Sequence, residues 1–71
     1  HYKDMKPGDK VWFYHPIEKT AVCGECLDFY NGFQGWVCMT KYKDFPPMCL
    51  YSYEVFPTRE ALCKHYRKIF E

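Results

Sequence analysis

The sequence predicts a mainly β chain with one C-terminal helix. Three observations predict it. Runs rich in aromatic and β-branched residues recur between residues 10 and 56, glycine, proline and asparagine punctuate them at short intervals, and beyond residue 58 the apolar spacing changes from that of a strand to that of a helix.

The elements follow in order. KPGDK, at residues 6–10, is a turn signal ahead of VWFYH, whose alternation sends Val11, Phe13 and His15 to one face and Trp12 and Tyr14 to the other. Pro16 ends that strand, because it has no N–H to give to a ladder. TAVCGECLDFY (20–30) reads as a second strand, and NGFQG (31–35) as a hairpin loop in which Asn31, Gly32 and Gly35 supply the positive-φ positions. WVCMTKY (36–42) is a third strand, KDFPP (43–47) a loop, and MCLYSYEVF (48–56) a fourth strand. Thr58 is placed to cap a helix over about 59–70, with Glu60 in its first turn, where the helix dipole favours an acid. Leu62, Tyr66, Ile69 and Phe70 form its apolar stripe. Short antiparallel strands followed by one helix point to a small antiparallel SH3-like barrel or a strongly bent meander sheet.

Size narrows the function. The 71 residues form a single domain, 1–71, since a chain this short buries only about 60% of its unfolded surface. A catalytic pocket on the order of 300 Å³ would consume most of such a core, so binding rather than catalysis is expected. Composition is that of a folded chain, with 48% hydrophobic residues and 27% charged ones that nearly cancel to +1. That balance removes the general electrostatic drive of a nonspecific nucleic-acid binder. No apolar run approaches the length of a membrane span, and the odd number of cysteines, five, fits a reducing, cytoplasmic setting.

The spacing in VCGEC raises metal and redox chemistry. In a strand, residues three apart lie on opposite faces, so Cys23 and Cys26 diverge unless Gly24 turns the chain into a knuckle. A zinc-stabilised domain using Cys23, Cys26, Cys38 and Cys49 is therefore an alternative to buried, unliganded thiols, which are the expected state, with no cofactor. A redox pair needs a helix N-terminus that this stretch lacks. Cys63 and His65 diverge around the last helix, and His15 reads as an ordinary strand residue.

Aromatic residues make up 21% of the chain. Some of the rings must serve as core, but Trp12, Tyr14, Tyr30, Phe33 and Trp36 fall on outer strand positions or around the hairpin loop, where they could form a protein-binding cage or groove. The alternative is a nucleic-acid-binding domain, in which sheet aromatics stack on bases while Lys41, Lys43, Arg59, Lys64, Arg67 and Lys68 follow phosphates.

Gly8, Asp9 and Val11 at the start of the chain, with Val55, Phe56, Thr58, Glu60 and Ala61 at the start of the helix, carry a resemblance. The chain resembles the small, uncharacterised SH3-like barrel proteins of bacteriophages and mobile elements of Gram-positive gut bacteria. The resemblance implies a barrel fold and a phage or mobile-element context. In that context the expected role is a non-catalytic protein-interaction module, and binding and inhibition of a host defence protein would suit it.

Overall fold

A computed structural model of the chain describes residues 5–66. Four strands, β1 (Lys10–His15), β2 (Thr20–Gly32), β3 (Gly35–Lys41) and β4 (Met48–Tyr51), form one antiparallel sheet in the order β1-β2-β3-β4, and the helix α1 (Arg59–His65) follows. The mainly β architecture is as expected, and the sheet is not closed. Among the described residues, no helix is long and apolar enough to cross a membrane.

β1 alternates as its sequence predicts: Val11, Phe13 and His15 are buried, while Trp12 and Tyr14 are half-buried. β2 repeats the pattern through Val22, Gly24 and Cys26, and then a bulge at Leu27 breaks the register, Cys26 pairing with Thr40 and Asp28 with Met39. The extra residue reverses the parity of the strand. Phe29 therefore reaches the same face as Cys26 and packs against the core, which simple alternation would forbid.

Gly24 does not make a knuckle. It lies in β2 opposite Val11, and a Cβ there would stand 2.7 Å from the Lys41 carbonyl oxygen and 2.9 Å from the Phe13 ring. Glycine lets β3 and the Phe13 side chain close over this strand. Cys23, opposite Trp12, and Cys26, in the core, face away from each other as expected of a strand.

Two expected boundaries move. In the β2–β3 hairpin, Asn31 and Gly32 are paired strand residues, the turn consists of Phe33 and Gln34, and of the three predicted positive-φ positions only Gly35 (φ 130°) is one. β4 stops at Tyr51 instead of running to Phe56, because the Glu54 carboxylate accepts the Tyr51 N–H at 3.0 Å and a 3₁₀ turn, Ser52–Glu54, carries the chain away. A side chain thus takes the role of a ladder partner. Phe56 then exchanges two 2.8 Å backbone hydrogen bonds with Trp12 on the outer edge of β1.

α1 starts as predicted, with Thr58 Oγ1 accepting the Ala61 N–H at 3.1 Å. It packs on β1 and β2 and buries Leu62 completely. Tyr66 is its C-cap, and the expected extension through Ile69 and Phe70 lies outside the described residues. The main core, on the inner face of the sheet, contains Met5, Val11, Phe13, Val22, Cys26, Cys38, Tyr42, Leu50 and Val55.

Candidate functional site

The long β2 strand gives the molecule two ends. At the Thr20 end, the β1–β2 turn meets the β3–β4 loop. The Tyr42 hydroxyl donates to Glu18 Oε1 at 2.8 Å, the Lys43 ammonium stands 3.6 Å from Glu18 Oε2, and His15 Nδ1 accepts the Glu18 N–H at 3.1 Å. The Tyr42 hydroxyl, and after it the Lys43 charge, hold the Glu18 carboxyl below the ordinary carboxylate value. The His15 ring is buried 4.4 Å from the Phe45 ring, and its Nε2 has no hydrogen-bond partner among the described residues. The rings at this end are enclosed and tethered.

The Gly32 end carries rings as well, and these are open. Cross-strand partners share a face, so Asn31 and Trp36 lie on the side of Phe29, Cys38 and Leu50, while Asp28, Tyr30, Val37, Met39, Cys49 and Tyr51 share the other side. On the first side Trp36, 49% exposed, stacks on Phe29 with centroids 5.0 Å apart. On the second, the Tyr30 hydroxyl lies 3.6 Å from Cys49 Sγ, and Tyr51 stacks on Tyr53 at 5.4 Å while its hydroxyl donates to Gln34 at 3.0 Å. The hydrogen bond to Cys49 raises the Tyr30 phenol above its ordinary value, with a smaller contribution from the charge of Asp28. Phe33, at the turn between the two faces, is fully exposed.

The five rings expected to make one surface divide into two groups. Tyr30 and Trp36 lie at the hairpin end on opposite faces of the sheet, with Phe33 at the turn between them. Trp12 is half-buried on β1 beside the Phe56 bridge, and Tyr14 stands 6.4 Å from Tyr66 along a cleft of about 220 Å³ between β1 and β4. Phe13, Pro16, Met48, Leu50 and Glu54 complete that cleft. Burial, and then the charge of Glu54, raise the Tyr66 phenol above its ordinary value. Tyr51 and Tyr53 were missed by sequence reasoning. Their spacing of two in LYSYE reads as strand alternation, whereas the 3₁₀ turn brings the two rings into a parallel stack.

The basic residues are not gathered with these rings. Lys41 Nζ donates to the Phe45 carbonyl at 2.6 Å, and Lys43 is paired with Glu18. Lys41 is five residues from Trp36 along β3, roughly 17 Å at strand rise. Arg59 and Lys64 are exposed on α1, and Arg67 and Lys68 lie outside the described residues. The thiols are equally dispersed. Cys26 and Cys38 are fully buried, Cys38 Sγ sits 3.2 Å from Thr40 Oγ1, and burial, with neighbouring Cys38 next, pushes the Cys26 thiol up to about 12. Cys23 and Cys63 are half-buried, and Cys49 is exposed. Among the described residues no group of three or more His, Cys, Asp and Glu side chains converges to hold a metal ion. Comparison of the chain with protein-family models, curated proteins and solved structures finds no match.

Proposed function

We propose that this chain is a non-catalytic protein-interaction module that docks through the Gly32 end of its β2–β3 hairpin. The observation that carries this reading is the fully exposed Phe33 at a turn flanked by exposed Tyr30, Trp36 and Tyr53. Large rings standing out of a small domain at one place mark a surface that another molecule covers, since leaving them in water costs free energy without serving the core. Trp36 on Phe29 and Tyr51 on Tyr53 are already stacked, so little side-chain freedom is lost when a partner arrives. The resemblance extends the reading to a bacteriophage or mobile-element factor, acting in the cytoplasm, whose partner is a host defence protein.

Affinity capture from a bacterial lysate, with wild type, Phe33→Ser and Trp36→Ala as parallel baits, tests the docking. Proteins retained by wild type and released by both variants, while both variants keep their thermal transitions, are the expected result. Equal retention by all three baits overturns the assignment to this end. Retention of nucleic acid in place of protein, lost steeply as salt rises, would replace the reading with the phosphate-tracking alternative.

A further inference from the structure

The docking end also differs from the rest of the chain in charge. Residues 27–40 hold one acid, Asp28, and residues 48–58 hold one, Glu54; neither stretch has a lysine, arginine or histidine. Asp28 shares the face of Tyr30 and acts on its phenol. A shallow depression of about 100 Å³ is lined by Val37, Cys49 and Tyr51 of that face, together with Leu50 between Cys49 and Tyr51 on β4. An apolar floor, tyrosine rings at the rim and a carboxylate beside them match one kind of side chain, a long aliphatic stem with a positive head. A phosphate would meet a carboxylate there and no base among these residues.

We propose that the face of Asp28, Tyr30, Val37, Cys49 and Tyr51 receives a lysine or arginine side chain of the protein partner, with its stem over Val37 and its cation against the tyrosine rings and Asp28. The proposal rests on the docking reading and names the partner's chemistry. Tyr51 is prepared for it, because its hydroxyl bond to Gln34 and its stack on Tyr53 hold the ring in place. Tyr30 is held by its contact with Cys49.

The test is a titration of the ¹⁵N-labelled full chain at about 50 mM salt, where surface charge is weakly screened. Two flexible glycine–serine peptides of equal length serve as probes, one with two arginines and one with two glutamates, and oligothymidylate is the third. The arginine peptide is expected to shift the amides of Asp28, Tyr30, Val37, Cys49 and Tyr51, and the glutamate peptide to leave them in place. Asp28→Asn should weaken the arginine peptide about two- to fivefold, the scale of an exposed ion pair. Tyr30→Leu should weaken it about two- to fivefold, the scale of one exposed cation–π contact, and Tyr30→Phe should retain binding. Dispersed amide spectra confirm that each variant is folded. Equal response to both peptides, shifts confined to other residues, or unchanged affinity in both Asp28→Asn and Tyr30→Leu would overturn the proposal. So would oligothymidylate moving these amides. If the arginine peptide fails while Phe33→Ser still releases a captured protein, the docking reading stands and only the partner chemistry falls.

Discussion

The two ends of β2 use the same kind of residue to opposite effect. At the Thr20 end, His15, Tyr42 and Phe45 are drawn together by the bonds that Glu18 makes to Tyr42 and Lys43 across two loops. At the Gly32 end, no loop among the described residues folds over Tyr30, Phe33, Trp36 and Tyr53, and all four are exposed. Aromatic content is similar at the two ends, so hydrophobicity does not decide which rings are core. The loops do: at the Thr20 end the β1–β2 turn and the β3–β4 loop are tied together over the rings. At the Gly32 end the bonds of Tyr51 to Gln34 and of Tyr30 to Cys49 are made by the rings themselves, and Tyr30, Phe33, Trp36 and Tyr53 are left exposed.

The largest expected difference between the ends comes from truncating one phenylalanine at each. Phe13→Ala, in the fully buried core, should cost about 3–5 kcal/mol in chemical denaturation. A loss below 1 kcal/mol, typical of surface sites, would mean that the enclosed core is not where the stability lies. Next is Gly24→Ala, whose methyl group would press on the Lys41 carbonyl and the Phe13 ring; overpacking of this kind costs about 1–3 kcal/mol. An unchanged unfolding midpoint would show that β3 can move away.

The tether itself is tested by pH. Glu18 is held below the ordinary carboxylate value, chiefly by Tyr42, so the stability it contributes is complete above that ordinary value and is lost as pH falls through the depressed folded one. Glu18→Gln should melt below wild type at neutral pH, and the gap should close on acidification. A gap that stays constant from neutral to strongly acidic pH would remove the tether from the account. The smallest effect belongs to the open end, where Phe33→Ser should change stability by no more than about 0.5 kcal/mol. A large loss there would identify Phe33 as a structural residue and the comparison would fail.

Much of the fold was legible locally. The alternation in VWFYH, the stop at Pro16 and the Thr58 cap depend on neighbours a few residues away, and the structure follows each of them. The departures come from distant partners. Leu27 bulges, and Glu54 ends β4 by accepting a backbone N–H. Gly24 is needed because Phe13 and Lys41 close over it, not because the chain turns there. The candidate site was half legible for the same reason. Tyr30, Phe33 and Trp36 are close in sequence and stay at one end of the sheet, Tyr30 and Trp36 on its two faces, whereas Trp12 and Tyr14 follow β1 to another part of the surface, and Tyr51 and Tyr53 join through a turn that alternation does not announce.

By itself, then, the amino-acid sequence determined the strand succession, the helix start and the divergence of Cys23 from Cys26. These follow from backbone periodicity and chemical type, which each residue carries wherever it lies. Tertiary structure alone decided which rings are core and which are open, because burial depends on the loop that folds over a side chain. That loop is held by hydrogen bonds between residues far apart along the chain, such as Tyr42 and Glu18.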